Sequence, residues 1–334
     1  MTYVKHVTTV NVTPAMPENA RGGAPVAVAV DVVADPDRLW ERPVVVVALP
    51  GGTYHRRYWD LQPPARRGYS QAEWMADRGV VFVASDYLGG GDSSRPADGD
   101  FMTLEVAADA AHAVYQQVRA DLESGTLDER LGPITNATFV GFGQSLGGFI
   151  TMIQQGKYGD YAGVAILGAS PILIANIPHH RSLDSFSADE RRRMIMEDNA
   201  KSSGLAELPM YHGAPRDIAR DIFHVEDVPD DLFRYDEEMC HTLISRVTGV
   251  DGMTPGYAKP FAEAITSPVF LGWGDVDVSA DAHREPSAYP RSCHVTLSVV
   301  EHMAHMHNFA DTRERLWEDL LLWLAVAQHH AHVP

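Results

Sequence analysis

The sequence predicts an α/β fold in which eight strands form a mainly parallel sheet with helices on both faces. Short β-branched runs alternate with longer segments whose apolar residues recur at helical spacing. The central runs, such as VVVVAL at 44–49, are apolar throughout, which is typical of strands covered on both faces. The alternation stops near residue 170 and resumes near residue 262. A helical segment is therefore predicted to be inserted after the sixth strand.

The predicted elements follow a regular order. The first two strands have no helix between them and alternate as a hairpin does, whereas the later strands are separated by helical segments. The predicted strands are TYVKHVTTVNV, VAVAVDVVAD, 42–50, 79–87, NATFVGFGQ, 161–170, SPVFLGWGDVDV and CHVTLSVV. The predicted helices of the core are SQAEWMADRG, 104–122, LGGFITMIQQG, ADAHREPSAY and ADTRERLWEDLLLWLAVAQ.

The middle of the chain shows a different pattern. No buried strand is predicted between Pro171 and Ala262, where two helical patterns, SADERRRMIMEDNA and PDDLFRYDEEMCHTLISRV, are separated by proline and glycine. We therefore predict a first part of the core at 1–170, a helical insertion at 171–262 and a second part of the core at 263–334.

Charge and composition limit the partners of the chain. The formal net charge is −18 and the isoelectric point is near 5.2, which argues against nucleic acid and anionic membranes because both require a basic face. The longest apolar runs are too short to span a bilayer, and no signal pattern opens the sequence. The two cysteines, Cys240 and Cys293, lack metal-ligand spacing and predict a reducing, cytoplasmic location.

The segment GFGQSLGGF at 141–149 places a serine between glycines, directly after a predicted strand and before a predicted helix. In that context G-x-S-x-G predicts a tight turn that presents a nucleophile. Gly143 and Gly147 are needed because larger side chains would clash in the turn. The turn would expose the Ser145 hydroxyl at the carboxyl edge of the sheet. A glycine-rich turn with an incidental serine is the alternative interpretation.

A serine hydroxyl needs a base, and the base needs an acid that orients it. The expected chain order is serine, acid, histidine. Asp277 lies in the loop after the strand PVFLGW and is the preferred acid, with Asp275 as its competitor. The segment EHMAHMHNF contains His302, His305 and His307. His305 is the preferred base, because His302 lies close to the strand end and His307 close to the next helix.

The loop LPGGTYHRRYW and the turn itself are predicted to supply the oxyanion hole. Leu146 follows the nucleophile, and Gly52, with Thr53 as the alternative, would give the second backbone N–H. Thr53, Tyr54 and Gln144 are predicted to contact substrate. The spacing His-x-x-His-x-His could bind zinc, but no Cys or upstream His/Asp cluster has matching spacing. No metal and no organic cofactor are predicted.

Taken together, these motifs resemble the α/β-hydrolase family over the whole chain. The matching segments are GQSLG, LPGG, DYLGGGDSS, GDVD and MAHMHNF. The resemblance implies Ser145 as nucleophile, Asp277 as acid, His305 as base, and the insertion as a cap over the pocket. A serine at the turn separates the chain from epoxide hydrolases and haloalkane dehalogenases, which carry aspartate there.

The predicted function is hydrolysis of a carboxylic ester or lactone, a small-molecule substrate, through an acyl-enzyme. Aromatic and methionine residues near the oxyanion loop and in the insertion favour an apolar acyl or aromatic substrate. Three alternatives stay open: an acyltransferase, a carbon–carbon bond hydrolase with the same triad, and a small-molecule receptor without turnover. The apolar last helix could pack on the core or form a homodimer.

Overall fold

The computed structural model describes residues 3–173, 186–202, 204–214, 216–225 and 228–331. The strands within these residues are β1 (Val4–Asn11), β2 (Ala27–Ala34), β3 (Val44–Leu49), β4 (Val81–Ser85), β5 (Thr138–Gln144), β6 (Gly163–Leu167), β7 (Tyr211–His212), β8 (Ile244–Ser245), β9 (Val269–Val276) and β10 (Val295–Ala304). Eight of them form one sheet in the order β1-β2-β4-β3-β5-β6-β9-β10, and β7 and β8 pair with each other.

The sheet is parallel except at one edge. β2 runs antiparallel to both β1 and β4, and the remaining neighbours in the sheet are parallel. β3 lies between β4 and β5, and all six of its residues are buried, as its continuous apolar run predicts. The predicted eight-stranded, mostly parallel sheet is confirmed.

Helices cover both faces of the sheet. The apolar sides of α3, α4 and α9 join one buried cluster, and those of α2 and α10 join a second cluster on the opposite face. The helices are α1 (Glu18–Arg21), α2 (Gln71–Ala76), α3 (Leu104–Ser124), α4 (Leu146–Tyr158), α5 (Ala188–Ser202), α6 (Arg216–Phe223), α7 (Asp230–Tyr235), α8 (Arg246–Met253), α9 (Lys259–Ala264) and α10 (Arg313–Ala331). Each βα unit thereby buries its apolar stripe on the sheet.

Helices α5 to α8 and the short strands β7 and β8 lie between β6 and β9 in the chain. The segment 229–247, predicted as one helical pattern, is interrupted after α7 and a single π-helical turn at Asp236–Cys240. The reason is tertiary: His241 bridges Tyr54, and Thr242 N–H donates to the Thr53 carbonyl. The prediction of no buried strand in the insertion was wrong for the two residues of β8. Parts of the predicted insertion, at 174–185, 203, 215 and 226–227, lie outside the described residues.

Two elements after β9 also differ from the sequence patterns. The predicted helix ADAHREPSAY is a 3₁₀ helix at Ala282–Ala288 that contains Pro286, which has no N–H to donate within a helix. β10 continues four residues beyond the predicted end, to Ala304, across an irregular register after Val300. No described helix has the length and the apolar character needed to cross a membrane.

The two cysteines should differ in reactivity. Cys240 is fully buried and its burial raises the thiol pKa well above the usual value, whereas Cys293 is exposed. Because the thiolate is the reactive form, native protein treated with N-ethylmaleimide should gain one adduct, on Cys293, by intact mass. Cys293→Ser should gain none until the chain is unfolded in urea. Rapid labelling of Cys240 in the folded protein would contradict the described packing.

Candidate active site

Ser145 lies in the sharp turn between β5 and α4. Its backbone has φ +50° and ψ −115°, a strained combination for a residue with a side chain, and its N–H donates to the Leu167 carbonyl at 2.7 Å. A Cβ added to Gly143 would lie 2.3 Å from the Gly147 carbonyl oxygen. A Cβ on Gly147 would lie 2.2 Å from the Leu49 oxygen. Both glycines are therefore required by the close packing of the turn.

The loop after β10 brings a histidine to this serine. His305 Nε2 lies 2.8 Å from Ser145 Oγ, and His305 Nδ1 lies 2.6 Å from Asp277 Oδ1. The carboxylate can only accept, so Nδ1 carries the proton and Nε2 is free to accept the serine proton. The three side chains form a continuous hydrogen-bonded series, in the order that a nucleophile, a base and an acid would require.

Asp277 is held by four donors. Its Oδ1 accepts from His305 and from the Val278 N–H at 2.7 Å, and its Oδ2 accepts from His307 Nε2 at 2.8 Å and the Gly274 N–H at 3.2 Å. Burial by itself would favour the neutral acid, but the two histidines hold the pKa of Asp277 well below its usual range. The acid is therefore an anion with both oxygens fixed in direction.

The competing residues have other positions. Asp275 Oδ1 accepts from the Met303 N–H at 3.0 Å and so holds the irregular part of β10, where His302 is exposed with φ +57°. His307 is buried on the far oxygen of Asp277 and does not reach the serine. Sequence spacing did not reveal this orienting position of His307.

The loop at residues 49–59, called the oxyanion loop after its predicted role, contains the two candidate donors Gly52 and Thr53, and only one of their N–H groups is free of an acceptor among the described residues. The Thr53 N–H donates to Tyr87 Oη at 3.1 Å, so it is not available to a substrate. The N–H groups of Gly52 and Leu146 have no hydrogen-bond acceptor among the described residues, and both residues line the cavity beside Ser145. These two amides are the available pair of donors.

Arg216, at the start of α6, fixes Thr53. One guanidinium nitrogen donates to Thr53 Oγ1 and the other to the Thr53 carbonyl, both at 2.9 Å. Thr53 has φ +62°, in the left-handed region that is unfavourable for a β-branched residue. Helix α6 therefore holds this loop in a conformation that Thr53 alone would not favour.

The charge of Arg216 is balanced in a fully buried group. Its Nε lies 3.3 Å from Asp236 Oδ1, while Asp236 Oδ2 accepts from Tyr54 Oη at 2.6 Å and lies 2.8 Å from His224 Nε2. The guanidinium also stacks over the Tyr54 ring at 3.9 Å. Arg216 and Asp236 are both 0% exposed. A charge pair this deep requires every partner, because an unpaired buried charge is costly.

Helix α6 also holds the histidine loop. At its end, the Ile222 carbonyl accepts from the His305 N–H at 3.1 Å, and the Phe223 carbonyl accepts from the Met306 N–H at 2.9 Å. Together with Arg216 at its beginning, this helix joins the oxyanion loop to the loop of the base. The sequence did not predict this role, because no motif marks which face of α6 points inward.

Of the three residues predicted to contact substrate, only Thr53 lines the cavity beside Ser145. Tyr54 is instead fully buried against Arg216 and Asp236. Gln144 is also fully buried, and its Nε2 donates to the His305 carbonyl at 2.9 Å. Tyr54 and Gln144 therefore do not line the cavity, and instead contact Asp236 and the His305 backbone, respectively.

One group near the oxyanion loop has the composition of a metal site. His55, Asp86 and Asp92 bring ligand atoms within 4.8 Å of one another. The Arg56 guanidinium donates to Asp86 at 2.8 Å and to Asp92 at 3.0 Å. The Arg56 guanidinium thus neutralises the carboxylates of Asp86 and Asp92. These contacts connect the loop after β4 to the oxyanion loop.

No family model and no curated protein matches the sequence. Solved structures match nearly the whole chain. A bromoperoxidase from Bacillus anthracis has 16% identity and a TM-score of 0.62, covering 96% of this chain and 99% of its own. A thermophilic esterase from Thermogutta terrifontis has 17% identity and a TM-score of 0.61, covering 98% and 99%. A proline iminopeptidase from Mycobacterium smegmatis has 16% identity and a TM-score of 0.60, covering 97% and 99%.

The chain has the α/β-hydrolase fold. The sheet order and the elbow serine after β5 agree with the resemblance seen in the sequence. The similar structures carry the names of a peroxidase, an esterase and a peptidase, so the α/β-hydrolase fold does not by itself define the reaction. The reaction depends on the side chains beside the elbow serine.

Removing the buried guanidinium should destabilise the protein. Arg216→Met leaves Asp236 without its cation, and we expect a loss of about 3 kcal/mol in the free energy of unfolding, measured by urea denaturation. Arg220→Met is the matched control, because Arg220 lies on the same helix with an exposed ion pair, and should cost less than about 1 kcal/mol.

A double variant separates charge from packing. Arg216→Met combined with Asp236→Asn removes both charges and should recover part of the loss seen in Arg216→Met alone. Equal urea midpoints for Arg216→Met and Arg220→Met would contradict the buried ion pair.

Proposed function

We propose that the protein is a serine hydrolase that cleaves a carboxylic ester or lactone through an acyl-enzyme on Ser145. The observation that carries the proposal is the series Ser145 Oγ, His305 and Asp277, joined at 2.8 Å and 2.6 Å. Gly52 and Leu146 line the same cavity, and their N–H groups have no acceptor in the part of the chain that the structure describes. A nucleophile, its base, an orienting acid and oxyanion donors are what acyl transfer requires.

In the first step the Ser145 oxygen bonds to the substrate carbonyl carbon while its proton passes to His305 Nε2. The carbonyl electron pair moves onto the oxygen, where the Gly52 and Leu146 amides stabilise the negative charge. Loss of one such donor typically costs about 3 kcal/mol of transition-state stabilisation. The bond from carbon to the leaving oxygen then breaks, and His305 gives its proton to that oxygen.

In the second step water attacks the acyl carbon and gives its proton to His305. The bond between Ser145 and carbon breaks, the serine regains the proton, and the carboxylic acid leaves. Asp277 stays ionised throughout and stabilises the imidazolium that forms twice in each cycle. His307 assists by holding the second carboxylate oxygen.

The shared fold supports a hydrolase, since an esterase and a peptidase are among the structures it resembles. The ester class is the finer part of the proposal. It is favoured by the cavity beside Ser145, whose described lining is mainly apolar and contains no Asp, Glu, Lys or Arg. A charged peptide terminus would find no partner in that lining.

Labelling with a fluorophosphonate tests the nucleophile. We expect one covalent adduct by intact mass on the wild type and none on Ser145→Ala, because only a serine activated by a base reacts quickly with this reagent. The folded state of both proteins should be compared by circular dichroism. A folded wild type that gains no adduct would overturn the catalytic proposal and favour a binding role.

The base is tested by a pair of histidine variants from one loop. His305→Asn should lower kcat on a p-nitrophenyl ester by roughly 10²- to 10⁴-fold, since general base catalysis is lost. His302→Asn should leave kcat unchanged, because His302 is exposed and asparagine tolerates its left-handed backbone. Equal loss in both variants would contradict the assignment.

Product analysis in the same assay distinguishes the other reactions of this triad. Product that forms only with an added alcohol or amine would indicate an acyltransferase. Turnover of diketones without turnover of esters would indicate carbon–carbon bond hydrolysis.

A further inference from the structure

We propose that the cavity beside Ser145 is an acyl site for a compact, uncharged, apolar group, and that Gly249 and Gly252 of α8 set its depth. The proposal rests on the proposed function of Ser145. It goes further by naming the part of the substrate that enters the cavity and the residues that limit its size.

The two glycines form one wall of the cavity. They are three residues apart on α8 and so share one face of the helix. A Cβ added to Gly252 would lie 3.0 Å from Leu146 Cδ1, and a Cβ added to Gly249 would lie 2.8 Å from Ile244 Cδ1. Leu146 and Ile244 themselves line the cavity. A methyl group at either glycine would displace the end of one of these side chains, and we infer that the displaced side chain narrows the cavity.

The volume indicates the size of the group that fits. The cavity measures about 190 Å³. An apolar protein cavity of about 150 Å³ is known to hold benzene. The space beside Ser145 therefore suits a short acyl chain, such as acetyl to butanoyl, or a single ring, such as benzoyl. A long fatty acyl chain would extend beyond it.

The lining also restricts the charge of the group. Its described residues are Gly52, Thr53, Ser145, Leu146, Phe149, His212, Ala214, Phe223, Ile244, Gly249, Gly252, Met253 and Met306. His212 is the one titratable ring among them, and burial lowers its pKa, which favours the neutral form. A carboxylate or phosphate on the acyl group would lose its water without gaining a cation.

The direction of the cavity identifies the acyl part. His305 must give a proton to the leaving oxygen, so the alcohol has to lie on the His305 side of the carbonyl. His305 does not line the cavity, whereas the oxyanion residues Gly52 and Leu146 do. We therefore assign the group that occupies the cavity beside the oxyanion residues to the acyl part of the substrate.

The test uses p-nitrophenyl esters from acetate to octanoate, together with the benzoate, on three proteins. Wild type should prefer the short esters and the benzoate over the octanoate. Gly252→Ala should retain acetate turnover but lose roughly tenfold or more in kcat/KM on butanoate and benzoate, because one misfitting methylene is worth about that much. Alanine also favours a helix more than glycine, so the fold should be retained.

The third protein, Met253→Ala, changes the cavity in the opposite direction. Removing the Met253 side chain from the lining should shift the optimum to longer acyl chains. An octanoate preference in wild type, or identical profiles for the three proteins, would overturn the acyl-site proposal. If those proteins still label with the fluorophosphonate, the proposed function survives. Loss of labelling in folded wild type would overturn both.

Discussion

The buried guanidinium of Arg216 is the interaction on which the assembly of the site depends. It donates twice to Thr53 in the oxyanion loop and is neutralised by Asp236, which also accepts from Tyr54. The same helix accepts N–H groups from the histidine loop through Ile222 and Phe223. In a low-dielectric interior these charged hydrogen bonds are strong when complete and costly when broken. Residues between β6 and β9 thus hold the two loops beside Ser145 and also line the cavity.

Two of the four described non-glycine residues with positive φ lie at this site. Ser145 and Thr53 both have positive φ although neither is glycine, and both lie on the cavity. Such conformations persist only where surrounding contacts determine them. For Ser145 the contacts come from the close packing of Gly143 and Gly147, and for Thr53 they come from Arg216 and Tyr87. Local sequence therefore holds the nucleophile, and tertiary contacts hold the oxyanion loop.

This difference explains how much could be predicted from the sequence. The sheet and the elbow follow from local patterns, because apolar runs mark strands and the glycines of GQSLG have no substitute in so tight a turn. The proximity of Asp277 and His305 follows from the topology, because β9 and β10 are neighbours and their carboxyl ends share an edge. The position of Arg216 and the inward direction of Tyr54 could not be predicted. Both depend on how the insertion between β6 and β9 packs on the core, and no regular alternation of strands and helices indicates that packing. The break in the helical pattern after α7 could not be predicted either, because the pairing of His241 with Tyr54 and of Thr242 with Thr53 overrides helix propensity.

The double attachment of α6 links the position of this helix to the geometry of both loops beside Ser145. Displacement of α6 would withdraw the carbonyls of Ile222 and Phe223 from the histidine loop and the guanidinium of Arg216 from Thr53 together. An open molecule would then be an inactive one, and the observed rate would scale with the fraction of molecules in which α6 is docked. Under that linkage, a ligand that fills the cavity and favours the docked position of α6 would also favour the geometry in which Ser145, His305 and Thr53 are held.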